Sequence, residues 1–126
     1  MKSKKWKNKN LLQALKNAMQ GIKYVFHNER NLKIQLIFAI LAIAISVFLK
    51  LTHLEWILLC LTIGMVLFAE LVNTAIEIVL DLYSEKYNEN IKNAKDISSG
   101  AVLLTSIMSV AIGGILWIPK ILNLLK

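Results

Sequence analysis

Between residues 11 and 26 the apolar positions Leu11, Leu12, Leu15, Ala18, Met19, Ile22, Val25 and Phe26 return every three or four residues. On a helix that spacing gathers them within an arc of about 140°. Gln13, Lys16, Asn17, Gln20, Lys23 and Tyr24 take the other side. The pattern predicts an amphipathic helix over about 11–26, too polar to cross a bilayer and suited to lying along its surface. Three longer runs follow, at 34–49, 56–80 and 97–118, in which apolar residues dominate. A helix needs about 20 such residues to cross the hydrocarbon. The first run is short and carries Gln35 and Ser46, but Lys33 and Lys50 flank it with stems able to reach the interface. The expectation is an all-α integral membrane protein, one domain over 1–126, with spans at about 32–50, 55–81 and 96–118.

Polar segments separate these elements. Residues 27–31 (HNERN) link the surface helix to the first span, and 52–55 (THLE) form a short external turn. Residues 82–96 (LYSEKYNENIKNAKD) are the long polar stretch between the second and third spans. Gly100, Gly113 and Gly114 predict close helix contact along the third span, and Pro119 suits its end. The first apolar run begins too far into the chain for a cleaved secretory signal, so none is expected.

Composition agrees with the pattern: 56% of the chain is hydrophobic and it has one proline, which excludes an ordinary soluble core. The formal charge of +7 is uneven. Lys2, Lys4, Lys5, Lys7, Lys9, Lys16, Lys23, Arg30 and Lys33 precede the first span, Lys86, Lys92 and Lys95 lie between the second and third, and Lys50 alone follows the first. The positive-inside rule puts the amino terminus and the second loop in the cytoplasm and the carboxy terminus outside. In a chain this apolar the basic residues near Trp6 suit anionic lipid headgroups, so no nucleic-acid partner is expected. Cys60, the only cysteine, falls inside the second span, which removes an intramolecular disulfide or thiolate cluster and leaves a packing role.

Candidate chemistry is concentrated at the end of the second span. Glu70, Asn73, Glu77 and Asp81 step by three, four and four residues, so on a straight helix they fall within about 80° of one another. A charge at the bilayer centre costs several kcal/mol, so such a stripe faces protein or water. Glu29 and the pair Lys95-Asp96 are expected at the same membrane face. Two carboxylates with phosphate oxygens suit Mg²⁺, a lysine suits a polyphosphate, and a further carboxylate suits a base for phosphoryl transfer. None of the soluble kinase signatures is present: no GxxxxGK[ST], glycine-rich loop, HRD or DFG. The stripe's chemistry is also open to an ion pathway, or to a non-enzymatic polar seam pairing with Lys92, Lys95 or another subunit, although intramembrane acids are functional candidates by default.

ELVNTAIE at 70–77, Asp81, AKD at 94–96 and SGAV at 99–102 resemble the prokaryotic diacylglycerol kinase family, which includes the undecaprenol kinases of Gram-positive bacteria. The resemblance covers nearly the whole chain. It implies a homotrimer in the bacterial cell membrane, each subunit with a surface helix and three spans, and active sites shared between subunits at the cytoplasmic face. It further implies Glu70 as catalytic base, Glu29 and Glu77 as Mg²⁺ ligands that also contact ATP, and Asn73 as a supporting contact. Lys95 and Asp96 would contact the nucleotide, Lys86, Tyr87 and Asn88 would close over it, and Ser99 with Glu70 would meet the lipid. Asn17 falls at a nucleotide-contact position of the surface helix, where the diacylglycerol-specific member has an aromatic, and Asn10 replaces an arginine. ERNLKIQ at 29–35 is similar to the Gram-positive branch, with Gln35 where the diacylglycerol-specific branch has a glutamate. The expected reaction is transfer of the γ-phosphate of ATP to undecaprenol, with diacylglycerol as the alternative acceptor.

Overall fold

A computed structural model describes residues 7–83 and 85–126; the basic residues Lys2, Lys4 and Lys5, with Trp6, lie outside the described residues. Four helices follow in order: α1 Leu11–Asn28, α2 Arg30–Phe48, α3 His53–Tyr83 and α4 Glu89–Leu124. The last three are long and apolar enough to cross a membrane. They run alternately, so the α1–α2 junction and the α3–α4 loop share one end of the bundle and the α2–α3 turn and carboxy terminus share the other.

Local chemistry explains each boundary. Asn10 Oδ1 accepts the N–H of Gln13 at 2.9 Å, and Gln13 Oε1 accepts the N–H of Lys9 at 2.7 Å, a reciprocal cap on α1. The sequence predicts a five-residue link over 27–31, but the break is one residue wide. Only Glu29 leaves the helical region, with φ −105° and ψ 114°. The free carbonyls at the end of α1 are satisfied locally, which lets the helix run to the break: the side chain of Asn28 donates to Tyr24 O, the N–H of Glu29 to Val25 O and Lys33 Nζ to His27 O.

At the opposite end α2 closes with paired bonds from Lys50 N to Val47 O (3.2 Å) and Leu51 N to Ser46 O (3.3 Å), which put Lys50 at φ 53°. Glycine takes that left-handed conformation without the Cβ penalty. Lys50→Gly is therefore expected to stabilise the protein by about 1 kcal/mol, read as a higher melting temperature in detergent. A lower one would show that the lysine side chain contributes more than the strain it carries. Thr52 and Glu55 then start α3 as a capping box, with Thr52 N donating to Glu55 Oε2 at 2.7 Å and Glu55 N to Thr52 Oγ1 at 3.4 Å.

The predicted long loop over 82–96 is also shorter. Asn88 Oδ1 accepts from the N–H groups of Asn90 and Ile91, so α4 begins at Glu89 and Lys95 and Asp96 are helical. Pro119 lies inside α4 rather than ending it. It removes only the bond that an N–H would give to Ile115 O, and the helix continues one turn beyond. The expected glycine contacts are not made within the chain. A Cβ at Gly100 or Gly113 would meet nothing within 4 Å, and one at Gly114 only Ile118 of the same helix at 3.7 Å. The reason is that α4 buries Ser98 and Leu116, not its glycines.

The most extensive packing joins α3 and α4, and α2 lies along α3. The core is gathered at the end away from α1: Leu49, Leu51, Leu59 and Leu116 are buried, with Trp56 and Trp117 against them. Ser46, fully buried, accepts the indole N–H of Trp117 at 3.0 Å and ties α2 to α4. Lys120 and Glu55 form an ion pair at 3.0 Å beside it. Most other large apolar side chains face outward, including Phe38, Leu61, Leu104 and Ile115, as expected where lipid rather than water is the solvent.

Candidate active site

The acid stripe of α3 is present, and each member meets a different environment. Glu70 is 1% exposed, the most hidden carboxylate among the described residues. Its Oε2 accepts from Gln35 Nε2 on α2 at 3.1 Å, and its backbone carbonyl accepts the hydroxyl of Thr74 at 3.0 Å. One turn on, the buried Asn73 acts as a bridge. Its Nδ2 donates to Glu77 Oε1 at 3.3 Å, and its Oδ1 accepts the hydroxyl of Ser98 on α4 at 2.7 Å. Glu77 is half-buried, and Asp81, at the exposed end, pairs with Lys95. The stripe thus bonds to α2 at its deep end and to α4 further out.

Glu29 reaches the same region from the α1–α2 break. It is half-buried and spends no side-chain bond on capping α2. Glu29 and Glu77 both lie within electrostatic reach of the Glu70 carboxylate. Among the described residues neither Glu29 nor Glu77 joins an ion pair, and no three acid, histidine or cysteine side chains converge as a metal cage. Two unpaired carboxylates completed by phosphate oxygens and water fit Mg²⁺, which takes few protein ligands beside a polyphosphate.

The remaining predicted residues are placed further out. Asp96 is exposed and pairs with Lys92 one turn before it, at 2.6 Å. Asn17 is exposed and donates to Asn8 Oδ1. Lys86 and Tyr87 are exposed in the α3–α4 loop, where Asn88 serves as the cap of α4. Ser99 is exposed, whereas its neighbour Ser98 is buried in the stripe. The sequence reading did not place Gln35, Thr74 or Ser98 in the site. Ser98 follows Lys95 by three residues, and this shared helical face was the available signal.

An apolar groove of about 630 Å³ opens between α2, α3 and α4, and Gln35, the partner of Glu70, is on its wall. Gln35 lines it along with Phe38, Thr62, Ser106 and Gly113, as does Trp117 from the tied end. The buried Glu70 carboxylate meets this groove through Gln35, which bonds it and lines the groove wall.

Comparison with known proteins decides the family. The family model described as prokaryotic diacylglycerol kinase matches residues 16–117. The chain belongs to that family. It is 38% identical over 117 residues to a diacylglycerol kinase of Synechocystis sp., covering 92% of this chain and 67% of that protein. It is 33% identical over 105 residues to the undecaprenol kinase of Bacillus subtilis, covering 83% and 85%. To the diacylglycerol kinase of Escherichia coli K12 it is 29% identical over 100 residues, covering 79% and 82%. The family and the three apolar helices make the chain a membrane lipid kinase, with phosphoryl transfer from ATP as its chemistry.

Proposed function

We propose that this kinase transfers the γ-phosphoryl group of ATP to undecaprenol at the cytoplasmic face of the bacterial cell membrane, giving undecaprenyl phosphate. The observation that carries the reading is Glu70, almost wholly buried and bonded to Gln35, which lines an apolar groove. Burial of an acid at such a place is costly and calls for a use.

Glu70 takes the proton of the lipid hydroxyl as the hydroxyl oxygen bonds to the γ-phosphorus. The bond from that phosphorus to the bridging oxygen breaks, and ADP leaves. Glu29 and Glu77 would hold Mg²⁺ and, with Asn73, would contact the nucleotide. The ion, when bound, supplies charge neutralisation on the phosphates. Lys95 exchanges the exposed Asp81 for phosphate, an inexpensive trade because exposed ion pairs contribute little. Asp96 and the loop residues Lys86, Tyr87 and Asn88 close on the nucleotide, Asn17 approaches it from α1, and Ser99 meets the lipid headgroup. Glu29 and Glu77, left only half-buried by three spans, support a homotrimer with shared sites, and Leu11, Leu12, Leu15 and Met19, all exposed on α1, support a helix lying on the membrane. The charge pattern supports a cytoplasmic amino terminus and an external carboxy terminus.

Diacylglycerol is the second reading, favoured by the names of the Synechocystis and Escherichia coli relatives. Gln35, in the ERNLKIQ stretch, favours undecaprenol. Transfer of labelled γ-phosphate from Mg-ATP by the purified protein in mixed micelles, with each lipid at equal mole fraction, decides between them. Faster labelling of undecaprenol is expected. Faster labelling of diacylglycerol reverses the order, and labelling of neither by folded protein returns the stripe to a polar seam or ion pathway.

A further inference from the structure

Lys92, Lys95 and Asp96 share the first turns of α4, and with Asp81 of α3 they form two ion pairs. Lys95 Nζ meets Asp81 at 2.5 Å, and Lys92 Nζ meets Asp96 at 2.6 Å. Lys95 also lies within electrostatic reach of Glu77, which ties these pairs to a carboxylate proposed for Mg²⁺. Both α4 residues given to the nucleotide are thus already paired, and Lys92, the partner of Asp96, is a second cation on that face. Lys92 and Lys95 are three residues apart, so they stand about 60° apart around the helix and about 4.5 Å apart along it. One triphosphate group can reach both.

We propose that Lys92 is a second cation for the phosphates of the nucleotide, beside Lys95, and that its bond to Asp96 is a resting position. The inference rests on the nucleotide placement proposed above and adds a binding residue to it. An incoming polyphosphate meets four acids at this end, Glu29, Glu77, Asp81 and Asp96, and each fixed ammonium lowers the repulsion it faces. The exchange gives up little, because both side chains of the Lys92–Asp96 pair are exposed and such pairs contribute little. Asp96 turned to a hydroxyl or amine donor of the nucleotide releases Lys92. The flexible stem of the lysine then lets the ammonium swing to a phosphate oxygen as a point charge.

The test is steady-state kinetics in mixed micelles on wild type, Lys92→Met, Lys92→Arg and Lys95→Met, with Mg-ATP as donor and inorganic tripolyphosphate with Mg²⁺ as competitor. Tripolyphosphate has no sugar or base, so it reads contact with phosphate apart from any effect passed through Asp96. Lys92→Met is expected to raise the KM for Mg-ATP about tenfold and to weaken inhibition by tripolyphosphate by a similar factor. The lipid KM should stay unchanged, and Lys92→Arg should recover most of the loss. An unchanged KM for Mg-ATP in folded Lys92→Met overturns the inference. So does a raised KM with tripolyphosphate inhibition intact, which would make Lys92 a holder of Asp96 alone. Should Lys92→Met fail to assemble, acetylation of wild type by acetic anhydride, read at Lys92 by mass spectrometry, decides: slowing by Mg-tripolyphosphate is expected, and an unchanged rate overturns the contact. Lys95→Met separates the two failures. A Mg-ATP KM unchanged there as well defeats the nucleotide placement, whereas one raised there and unchanged in Lys92→Met defeats the role of Lys92 by itself.

Discussion

Glu70→Gln is expected to lower turnover by about a hundredfold to ten-thousandfold, the contribution of a positioned proton acceptor, without loss of fold. The amide is close in shape to the carboxylate, and its carbonyl oxygen can take the bond from Gln35 Nε2 that Glu70 now accepts at 3.1 Å. The Thr74 hydroxyl bonds the backbone of residue 70 and is indifferent to the side chain. Removing a buried charge also removes its desolvation cost, so the melting temperature should hold or rise. Parallel assays of γ-phosphate transfer and thermal unfolding in detergent check both halves. Turnover retained by the folded variant would sink the base role.

The second large effect is expected at Glu77. Glu77→Gln leaves an oxygen for the Asn73 amide, which now donates at 3.3 Å, and removes one of the two negative charges available to a cation. Metal charge neutralisation supplies several kcal/mol at about 1.4 kcal/mol per decade, so kcat/KM for Mg-ATP should fall about a hundredfold. The KM for the lipid alcohol should barely move. Glu29→Gln should give the same signature from a different element, because Glu29 enters from the α1–α2 break. Titration of activity against Mg²⁺ at fixed ATP reads the difference. A variant whose lipid KM changes while its Mg²⁺ demand does not would assign these carboxylates to the acceptor side.

The stripe at 70, 73, 77 and 81 was legible in the sequence because helical spacing alone brings its members to one face, and an apolar span makes any acid conspicuous. Its division of labour was less legible. That Glu70 turns to α2 while Asn73 and Asp81 turn to α4 depends on which helices lie on either side of α3, and spacing within one helix carries no such information. Ser98 was passed over for Ser99, since adjacent residues on a helix point about 100° apart and only the packed direction separates them. Gln35 was noticed for its identity, but its bond to Glu70 emerges only from three-dimensional placement. Polar composition suggested long links at 27–31 and 82–96. Asn28, Lys33 and Asn88 instead spend their polar groups on helix ends, so polar residues lengthen the helices. Pro119 resembled a stop signal, yet one missing bond near the end of a helix facing lipid did not end it.

The narrowness of the α1–α2 break has a mechanical consequence. Helix α1 is a rod of 18 residues, about 27 Å long, and its connection to the first span is a single extended residue. Glu29 is thus a fulcrum as well as a carboxylate. If α1 lies on the bilayer as proposed, a tilt of the rod would turn the backbone that carries this acid.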